Sequence, residues 1–436
     1  MDRVVSEGAR VFIAGDDDQS IYSFRSAAPA GLAEFVIKYP NCGQHTLNGC
    51  FRCTPTILAA GHAIITSHPQ PNRIPKALAS LYLGAAPPLA GTVHLWRFSS
   101  GKAEARAVAE SCRDLIAAGI NPREILVLLG NKGVLLPGLV AAFDNAGVEY
   151  EPPRAEGFLD SRAGRWVLAA IRIVCDPDDY VAHRVLLGLR SGVGVVTCTA
   201  VTDAVIASNL NYKPVFYQTP PAGVFSARGL KALNAAGSIC SQLRGWQSSH
   251  TVDQHLADIS SALSLALAPA DAQGWRAFAK ALPAGMTLGE LRDLLWADTD
   301  EQQGPLLQAV LTRLGLPVPA TGVLPPRVRV MTMHGAKGLS GKIVFVPGLE
   351  EEILPGAWRR PYPGLVLEAA RLLYVSITRA RAACIISYTR TRVVHGAFSV
   401  LTPSRFTADL GGAFLARTSG LEPAEVGRII SDVSHL

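Results

Sequence analysis

The stretch from Thr92 to Tyr150 alternates short apolar runs with longer amphipathic segments, and this alternation limits what the chain can fold into. The runs and segments follow one another as strand 92–98, helix 103–118, strand 125–129, helix 135–146 and strand 148–150. Strands that alternate with helices form a parallel sheet covered by crossover helices. The sequence therefore predicts an α/β fold.

The alternation stops near Leu186 and returns near Val328. Between them Ala- and Leu-rich helical periodicity dominates, broken by Pro and Gly clusters. Strand and helix patterns then resume as strand 328–332, strand 343–346, helix 368–378 and strand 384–388. We therefore predict one α/β domain, residues 87–185 and 326–436, that is split by an inserted helical domain of residues 186–325.

A further α/β segment precedes this split domain. Residues Arg10 to Ala14 form an apolar run that ends in Gly15-Asp-Asp-Asp-Gln19, the pattern of a buried strand that delivers polar side chains from its carboxyl end. An amphipathic helix to Ile37, a strand-like piece at 44–47 and a helix from Thr54-Pro55 to about Thr66 follow. Residues 1–86 are predicted to be part of a separate α/β domain.

Composition and charge narrow the class of protein. The 436 residues are 49% hydrophobic and 17% charged, which favours a packed protein over a disordered one. No apolar run is long enough to cross a bilayer, and the N-terminus lacks an export pattern, so we expect a cytoplasmic protein without a membrane partner. The net charge of +6 is compatible with a polyanionic partner. Cys50 and Cys53 have metal-like spacing, but no second pair follows at zinc-finger distance, so structural thiols are favoured over a zinc site.

Four segments carry chemically active residue types in a characteristic order. They are Val11-Phe-Ile-Ala-Gly-Asp-Asp-Asp-Gln-Ser-Ile-Tyr-Ser-Phe-Arg-Ser-Ala27, Leu47-Asn-Gly-Cys-Phe-Arg-Cys-Thr-Pro-Thr-Ile-Leu58, Val330-Met-Thr-Met-His-Gly-Ala-Lys-Gly-Leu339 and Glu368-Ala-Ala-Arg-Leu-Leu-Tyr-Val-Ser-Ile-Thr-Arg-Ala-Arg381. Their order and spacing resemble the late motifs of UvrD/Rep/PcrA-type superfamily 1 DNA helicases. The resemblance implies RecA-like parallel sheets: a partial first motor domain (1–86), a complete second one (87–185 and 326–436) and the helical insert.

The resemblance implies a set of residues that handle ATP. Gln19, Arg52 and Arg379 match residues that act on the γ-phosphate, Arg379 as the arginine finger. An amide can bind a phosphate oxygen or water, and arginine offers a charged planar fork to phosphate. The remaining nucleotide-binding residues implied by the match are Phe51, which would stack on adenine, together with Gly338, Ser340 and Arg371.

A second implied set contacts DNA. Phe24 matches an aromatic that stacks on a base of single-stranded DNA, with Tyr22 and Arg25 beside it, and an aromatic face accepts any base. Thr332 and His334 match residues that touch the DNA backbone. Each motif taken alone favours a structural role, such as a buried Phe or a satisfied histidine; it is the ordered set that favours function.

The sequence departs from the family pattern in three places. Cys50-Phe51-Arg52 stands where the family usually has Asn-Tyr-Arg, and Ser340 replaces a glutamate that contacts the nucleotide sugar. Ala163-Gly-Arg-Trp166 stands near the place of an acidic-basic cluster. These changes affect positioning of the nucleotide and an internal coupling contact.

A phosphate-binding loop, Gly-x-x-x-x-Gly-Lys-Thr/Ser, is absent from the 436 residues. Gly335 to Lys342 is one residue too long, and Ile343 replaces the required hydroxyl residue. In the family that loop and the Mg²⁺ ligands precede Val11, so ATP and Mg²⁺ are expected cofactors, with Mg²⁺ ligands in an N-terminal part that this chain lacks and no metal ligands assigned here.

Two functions stay open. The first is an ATP-dependent 3′–5′ DNA helicase or translocase acting on single-stranded DNA and single-strand/duplex junctions, present as a truncated chain that does not hydrolyse ATP alone, with a separate chain as one source of the first motor domain. The alternative is a non-catalytic single-stranded-DNA-binding or interaction protein derived from such an enzyme.

Overall fold

A computed structural model of the chain describes residues 8, 10–21, 30–68, 73–82, 89–152, 161–189, 193, 195–207, 227–267, 269–296, 300–317, 326–394, 396–411 and 414–436. The chain divides into two compact units. The first comprises Met1–Pro153 and Leu324–Leu436, and the second comprises Arg154–Val323.

Strands occur in the first unit. In chain order they are β1 (Gly49–Cys50), β2 (Ala79–Ser80), β3 (Thr92–Phe98), β4 (Ile125–Leu129), β5 (Tyr150–Glu151), β6 (Val328–Thr332), β7 (Gly341–Val346), β8 (Ala380–Thr389), β9 (Thr391–Val394), β10 (Ala397–Val400) and β11 (Leu415–Arg417). Seven of them form one sheet in the order β11-β3-β8-β7-β4-β6-β5. Every pairing in that sheet is parallel, which confirms the predicted α/β class with a large parallel sheet.

Helices lie along the whole chain. They are α1 (Ala30–Lys38), α2 (Pro55–Thr66), α3 (Gly101–Ala117), α4 (Lys132–Ala146), α5 (Arg162–Cys175), α6 (Tyr180–Gly188), α7 (Val195–Ala207), α8 (Ala227–Gln242), α9 (Val252–Ala266), α10 (Pro269–Lys280), α11 (Leu288–Trp296), α12 (Asp300–Arg313), α13 (Pro363–Ile377), α14 (Phe406–Asp409) and α15 (Pro423–Ser434). Within the part of the chain that the structure describes, none of these helices combines the length and apolarity needed to span a membrane.

Both faces of the large sheet are covered. Alternate residues of β4 divide between two cores: Leu126 and Leu128 join α2 and α13 in one, whereas Ile125, Val127 and Leu129 join α3, α4 and α15 in the other. Because successive side chains of a strand point to opposite faces, a strand buried on both sides reads as an uninterrupted apolar run. This is why the sequence pattern identified β4 correctly.

The N-terminal segment differs from expectation. Residues 10–14, predicted as a buried strand, have no regular secondary structure, and Phe12 is 90% exposed. A strand needs a hydrogen-bonded neighbour, and no described strand pairs with this run. The piece predicted at 44–47 is also irregular; the strand begins at Gly49 instead, where β1 pairs in parallel with β2.

The second unit is helical, as predicted, but its limits differ from those of the predicted insert. Helices α5 and α6 belong to it, because Trp166 and Leu186 share a core with residues of α8, α9 and α11. The compact unit therefore starts near Arg154 rather than at residue 186. The division of the first unit into two motor domains at residue 86 stays a prediction.

A buried ionic cluster connects α3, β9 and the segment after β7. Arg392 Nη2 donates to Glu104 Oε2 at 2.7 Å and to Glu350 Oε1 at 2.8 Å. All three side chains are nearly inaccessible to solvent. Glu350 Oε1 also accepts from the Thr389 backbone N–H at 2.7 Å, and Glu104 Oε1 accepts from the Ser387 hydroxyl at 2.8 Å.

This cluster predicts a pH effect on stability. Burial, followed by the charge of Glu104, raises the pKa of Glu350 to about 7 from its ordinary value of 4.5. A carboxyl with a raised folded-state pKa contributes stability that is complete below the unfolded-state pKa and lost as pH rises through the folded-state value. Relative to wild type, Glu350→Gln should therefore gain about 1–3 kcal/mol of unfolding free energy between pH 5 and pH 8.

Urea denaturation at the two pH values measures the effect. Glu149→Gln is the matched control, because Glu149 is exposed on the same unit. Parallel pH dependences for wild type and Glu350→Gln would contradict the assignment.

Candidate functional site

The acidic turn after residue 15 folds around its own first carboxylate. Asp16 caps a 3-10 helix, Asp17–Gln19, with its Oδ1 accepting from the Asp18 backbone N–H at 3.1 Å. The Gln19 side-chain amide donates to Asp16 Oδ2 at 2.6 Å. The amide predicted to sense phosphate is thus oriented by a neighbour in the same turn.

Two cations neutralise this turn. Lys76 Nζ contacts Asp16 Oδ1 at 2.5 Å, Asp18 Oδ2 at 2.8 Å and also Asp17. Arg73 donates to both oxygens of Asp18 at 2.9 Å. Lys76 therefore occupies the position that a metal ion would take among the three carboxylates. With the ammonium group in that place, the cluster does not fit Mg²⁺.

The cations also control the protonation of the turn. Burial by itself would raise the pKa of Asp18, but the hydrogen bonds from Arg73 and Lys76 outweigh burial and hold that pKa below its ordinary value. The carboxylate stays charged at neutral pH. Arg371 of α13 lies within electrostatic range of the same turn: burial lowers its pKa, while the charges of Asp18, Asp17 and Glu368 act in the opposite direction.

The segment before α2 is fixed to the end of α13. The Thr54 hydroxyl donates to the Arg381 carbonyl at 2.9 Å, and the Cys53 thiol donates to the Thr378 carbonyl at 3.4 Å. Pro55 at the first helical position starts α2, as predicted. Phe51, on the bend in front of this anchor, is 79% exposed, so its ring is open to an incoming planar group.

Arg379 follows α13 and is almost completely buried, at 1% exposure. Its Nε donates to the Val375 carbonyl at 2.9 Å and its Nη1 to the Leu339 carbonyl at 3.2 Å. Burial, followed by the positive charge of Arg52, lowers the pKa of Arg379 to about 10. The charge of Arg52, which comes from a distant part of the sequence, therefore acts on Arg379.

The loop after β6 joins these parts. Lys337 Nζ donates to the Gln19 carbonyl at 3.0 Å, and Leu339 accepts from Arg379 as described. Thr332 and His334 are half-buried at the start of the loop, where Thr332 Oγ1 accepts from the Gly335 N–H at 3.1 Å. Gly338 has a φ of +90°, a conformation that favours glycine. The Ser340 carbonyl, near the loop's end, accepts from Arg329 Nη2 at 3.0 Å.

The structure therefore brings together residues from all four motifs. The β6–β7 loop contacts the Gln19 carbonyl through Lys337 and Arg379 through Leu339, the charge of Arg52 acts on Arg379, and Arg371 lies within electrostatic range of the acidic turn. Three of the predicted DNA-contacting residues, Tyr22, Phe24 and Arg25, lie outside the described residues. Sequence reasoning assigned no role to three cations that hold the site: Arg73, Lys76 and Lys337. The run of three aspartates was the signal for two of them, since buried carboxylates require cationic partners.

Two family models match parts of the chain. A model of the UvrD-like helicase C-terminal domain matches residues 292–391, and a model of the UvrD/REP helicase N-terminal domain matches residues 1–40.

Individual relatives extend the match over most of the chain. The chain is 25% identical over 414 residues to ATP-dependent DNA helicase PcrA of Bacillus subtilis, which covers 91% of this chain and 54% of that protein. DNA helicase II of Rickettsia typhi is 23% identical, with 94% and 60% coverage, and PcrA of Staphylococcus aureus is 24% identical, with 95% and 56% coverage. The chain thus spans between 54% and 60% of the length of these relatives. In its ordered motifs, its parallel sheet and these matches, the chain is similar to the UvrD/PcrA-type superfamily 1 helicases.

Proposed function

We propose that this chain supplies the phosphate-sensing glutamine and the arginines of an ATP-dependent DNA helicase or translocase that moves 3′ to 5′. The observation that carries the proposal is the buried Arg379, which donates to the Leu339 carbonyl of the same loop whose Lys337 donates to the Gln19 carbonyl; the charge of Arg52 acts on Arg379 as well. Two arginines near each other raise the energy of the empty site, and a phosphate chain between them would relieve that repulsion.

Arg379 is suited to act on phosphate because its position is fixed before any ligand arrives. Two backbone carbonyls accept from Nε and Nη1, which leaves further N–H groups of the planar fork for an anion. A preorganised charge in a water-poor environment stabilises developing negative charge more strongly than a solvated one. Phe51 would supply stacking for the base, and Gly338, Ser340 and Arg371 would line the nucleotide side.

We assign DNA binding to the residues that begin the β6–β7 loop, Thr332 and His334, together with Tyr22, Phe24 and Arg25. The ligand proposed is single-stranded DNA, including its junctions with duplex. Lys337 of the β6–β7 loop donates to the Gln19 carbonyl. A shift of Gln19 on phosphate binding would therefore move the loop that carries Thr332 and His334.

Hydrolysis needs groups beyond those described. The 436 residues contain no glycine-rich phosphate loop, and Lys76 fills the carboxylate cluster. We propose that another segment, on a separate chain or elsewhere in the polypeptide, provides that loop and the Mg²⁺ ligands. The isolated chain should then show negligible ATPase activity with or without DNA, as measured by phosphate release; DNA-stimulated turnover would contradict this division of labour.

Nucleotide binding tests the arginine assignment directly. A fluorescent N-methylanthraniloyl derivative of ATP, titrated at low salt, should bind about tenfold more weakly to Arg379→Ala than to wild type, since a hydrogen bond to a charged group contributes about 1.5–3 kcal/mol. Arg390→Ala, at an exposed arginine after β8, is the control and should leave the affinity unchanged. Circular dichroism confirms that both variants are folded. Equal affinities for wild type and Arg379→Ala would remove Arg379 from the site.

The second candidate is a non-catalytic single-stranded-DNA-binding or interaction protein. It is favoured by Ser340, which has no carboxylate to offer a sugar, and by Ala163 and Gly164, which are buried at the start of α5. Fluorescence anisotropy of a labelled oligonucleotide distinguishes the two candidates. The DNA affinity of a helicase segment should change when ATP is added, whereas that of a non-catalytic DNA-binding protein should not.

A further inference from the structure

Cys50 and Cys53 form an arrangement that the proposed function does not use. The bend at residues 51–53 brings the Cys53 backbone N–H to 3.4 Å from the Cys50 sulfur. Cys50 is half-buried and reachable, whereas Cys53 is buried at 1% exposure. The ends of a four-residue bend lie within about 7 Å of each other, a separation that a disulfide spans with little backbone movement.

The two thiols have different environments. The pKa of Cys50 is lowered to about 5. The hydrogen bond with the Cys53 thiol and those from the backbone N–H groups of Cys53 and Arg52 lower it, and they outweigh burial, which would raise it. The Arg52 charge also lowers it. The pKa of Cys53 is raised by its hydrogen bond with Cys50, by burial and by the charge of Cys50. One accessible thiolate next to one buried, protonated thiol is the combination found in dithiols that exchange with disulfides.

We propose that Cys50 and Cys53 are a reversible thiol–disulfide site whose oxidant is a low-molecular-weight disulfide such as oxidised glutathione. The Cys50 thiolate attacks one sulfur of the oxidant, which releases one small thiolate and leaves a mixed disulfide on Cys50. The Cys53 thiol then loses its proton and attacks the Cys50 sulfur, which expels the second small thiolate. Two protein thiols are oxidised, and one disulfide is reduced to two small thiols.

Closing the disulfide alters the proposed nucleotide site. Phe51 and Arg52 are the two residues enclosed between the cysteines, and Cys53 must give up its bond to the Thr378 carbonyl, one residue before Arg379. The oxidised chain should therefore hold Arg52 differently with respect to Arg379 and bind nucleotide about three- to tenfold more weakly. This consequence rests on the proposed function, whereas the disulfide itself does not.

The covalent step is tested on the whole chain without nucleotide. Equilibration in reduced and oxidised glutathione, followed by acid quenching, alkylation and peptide mass spectrometry, should give a 50–53 peptide that is lighter by two hydrogens and not alkylated. Cys42 is the internal control. It is half-buried, and no cysteine lies three residues away from it in the sequence, so its peptide should be only alkylated or glutathionylated. A 50–53 peptide that stays fully alkylated under conditions that glutathionylate Cys42 overturns the inference.

Variants distinguish the two cysteines and the two proposals. Cys53→Ala should accumulate the mixed disulfide on Cys50, and Cys50→Ser should show neither product at these positions; a mixed disulfide on Cys53 instead would reverse their roles and contradict the inference. Nucleotide affinity should fall on oxidation of wild type, recover with dithiothreitol, and be insensitive in Cys50→Ser. If the reduced chain binds no nucleotide, the proposed function fails while the disulfide result stands; if oxidation leaves the affinity unchanged, the regulatory consequence is wrong.

Discussion

Replacing Arg392 with methionine should lower the free energy of unfolding by about 3–5 kcal/mol, because it leaves two buried carboxylates without their cation. Glu104 and Glu350 are both inaccessible and both accept from Arg392 Nη2. Methionine fills much of the same volume, so lost packing contributes little to the change. The remaining hydrogen bonds from Ser387 and the Thr389 backbone do not replace the cation, so Glu350 can stay buried beside Glu104 only by holding a proton, which costs free energy at pH 8.

Urea denaturation followed by circular dichroism measures this change. Arg97→Met is the matched control, because Arg97 lies on β3 of the same sheet with its side chain exposed, and surface substitutions usually change stability by about 0.5 kcal/mol or less. Adding Glu350→Gln to Arg392→Met should recover part of the loss at pH 8. Similar losses for the Arg97 and Arg392 variants would show that the cluster carries no net free energy.

Replacing Lys76 with methionine should cost about 2–4 kcal/mol at neutral pH. Lys76 contacts all three aspartates of the acidic turn, whereas Arg73 donates to Asp18. Without Lys76 the carboxylates repel one another, and their folded-state pKa values rise. The loss should therefore shrink as the pH is lowered from 8 to 5, since protonation then stabilises the folded variant more than the unfolded one.

The stability of the wild-type protein should instead fall in acid. The pKa of Asp18 is held below its ordinary value, so its contribution is present above that value and is lost as pH falls through the folded-state pKa. Lys102→Met, at an exposed lysine of α3, is the control for removing a positive charge. A Lys76→Met loss that is independent of pH would mean that packing of the lysine stem, rather than its charge, holds the turn.

The sequence predicts the buried elements of this fold well and its edges poorly. Strand β4 and helix α2 were predicted within a few residues, because one is apolar on both faces and the other begins at Thr54-Pro55. Strand β11 and helix α15 were not predicted: β11 is a short, partly exposed edge strand, and its pairing with β3 depends on residues more than 300 positions away. The run at 10–14 has the apolar pattern of a strand but no described partner.

The candidate site could likewise be predicted only in part from the sequence. Motif order and spacing predicted Gln19, Arg52 and Arg379; the structure connects Gln19 and Arg379 to the same loop, and their roles stay predictions. Their supporting contacts could not be predicted, because Lys337 reaches Gln19 across 318 positions and spacing along the chain carries no information on such a bond. The unusual Cys50 was visible as a departure from the family pattern, but its distance from the Cys53 N–H required the fold.

The strand order of the large sheet affects how a newly made chain can mature. β3 and β4 are consecutive in the sequence but not neighbours; β8 and β7 lie between them, and β6 flanks β4 on its other side. A ribosome that adds about 5–20 residues per second needs on the order of 10–40 s to proceed from β4 to β6, the first of its two neighbours to be made. Throughout that interval the five apolar residues of β4 have no strand to pair with. Synthesis of this protein is therefore expected to depend on chaperones that shield this strand until the C-terminal strands emerge.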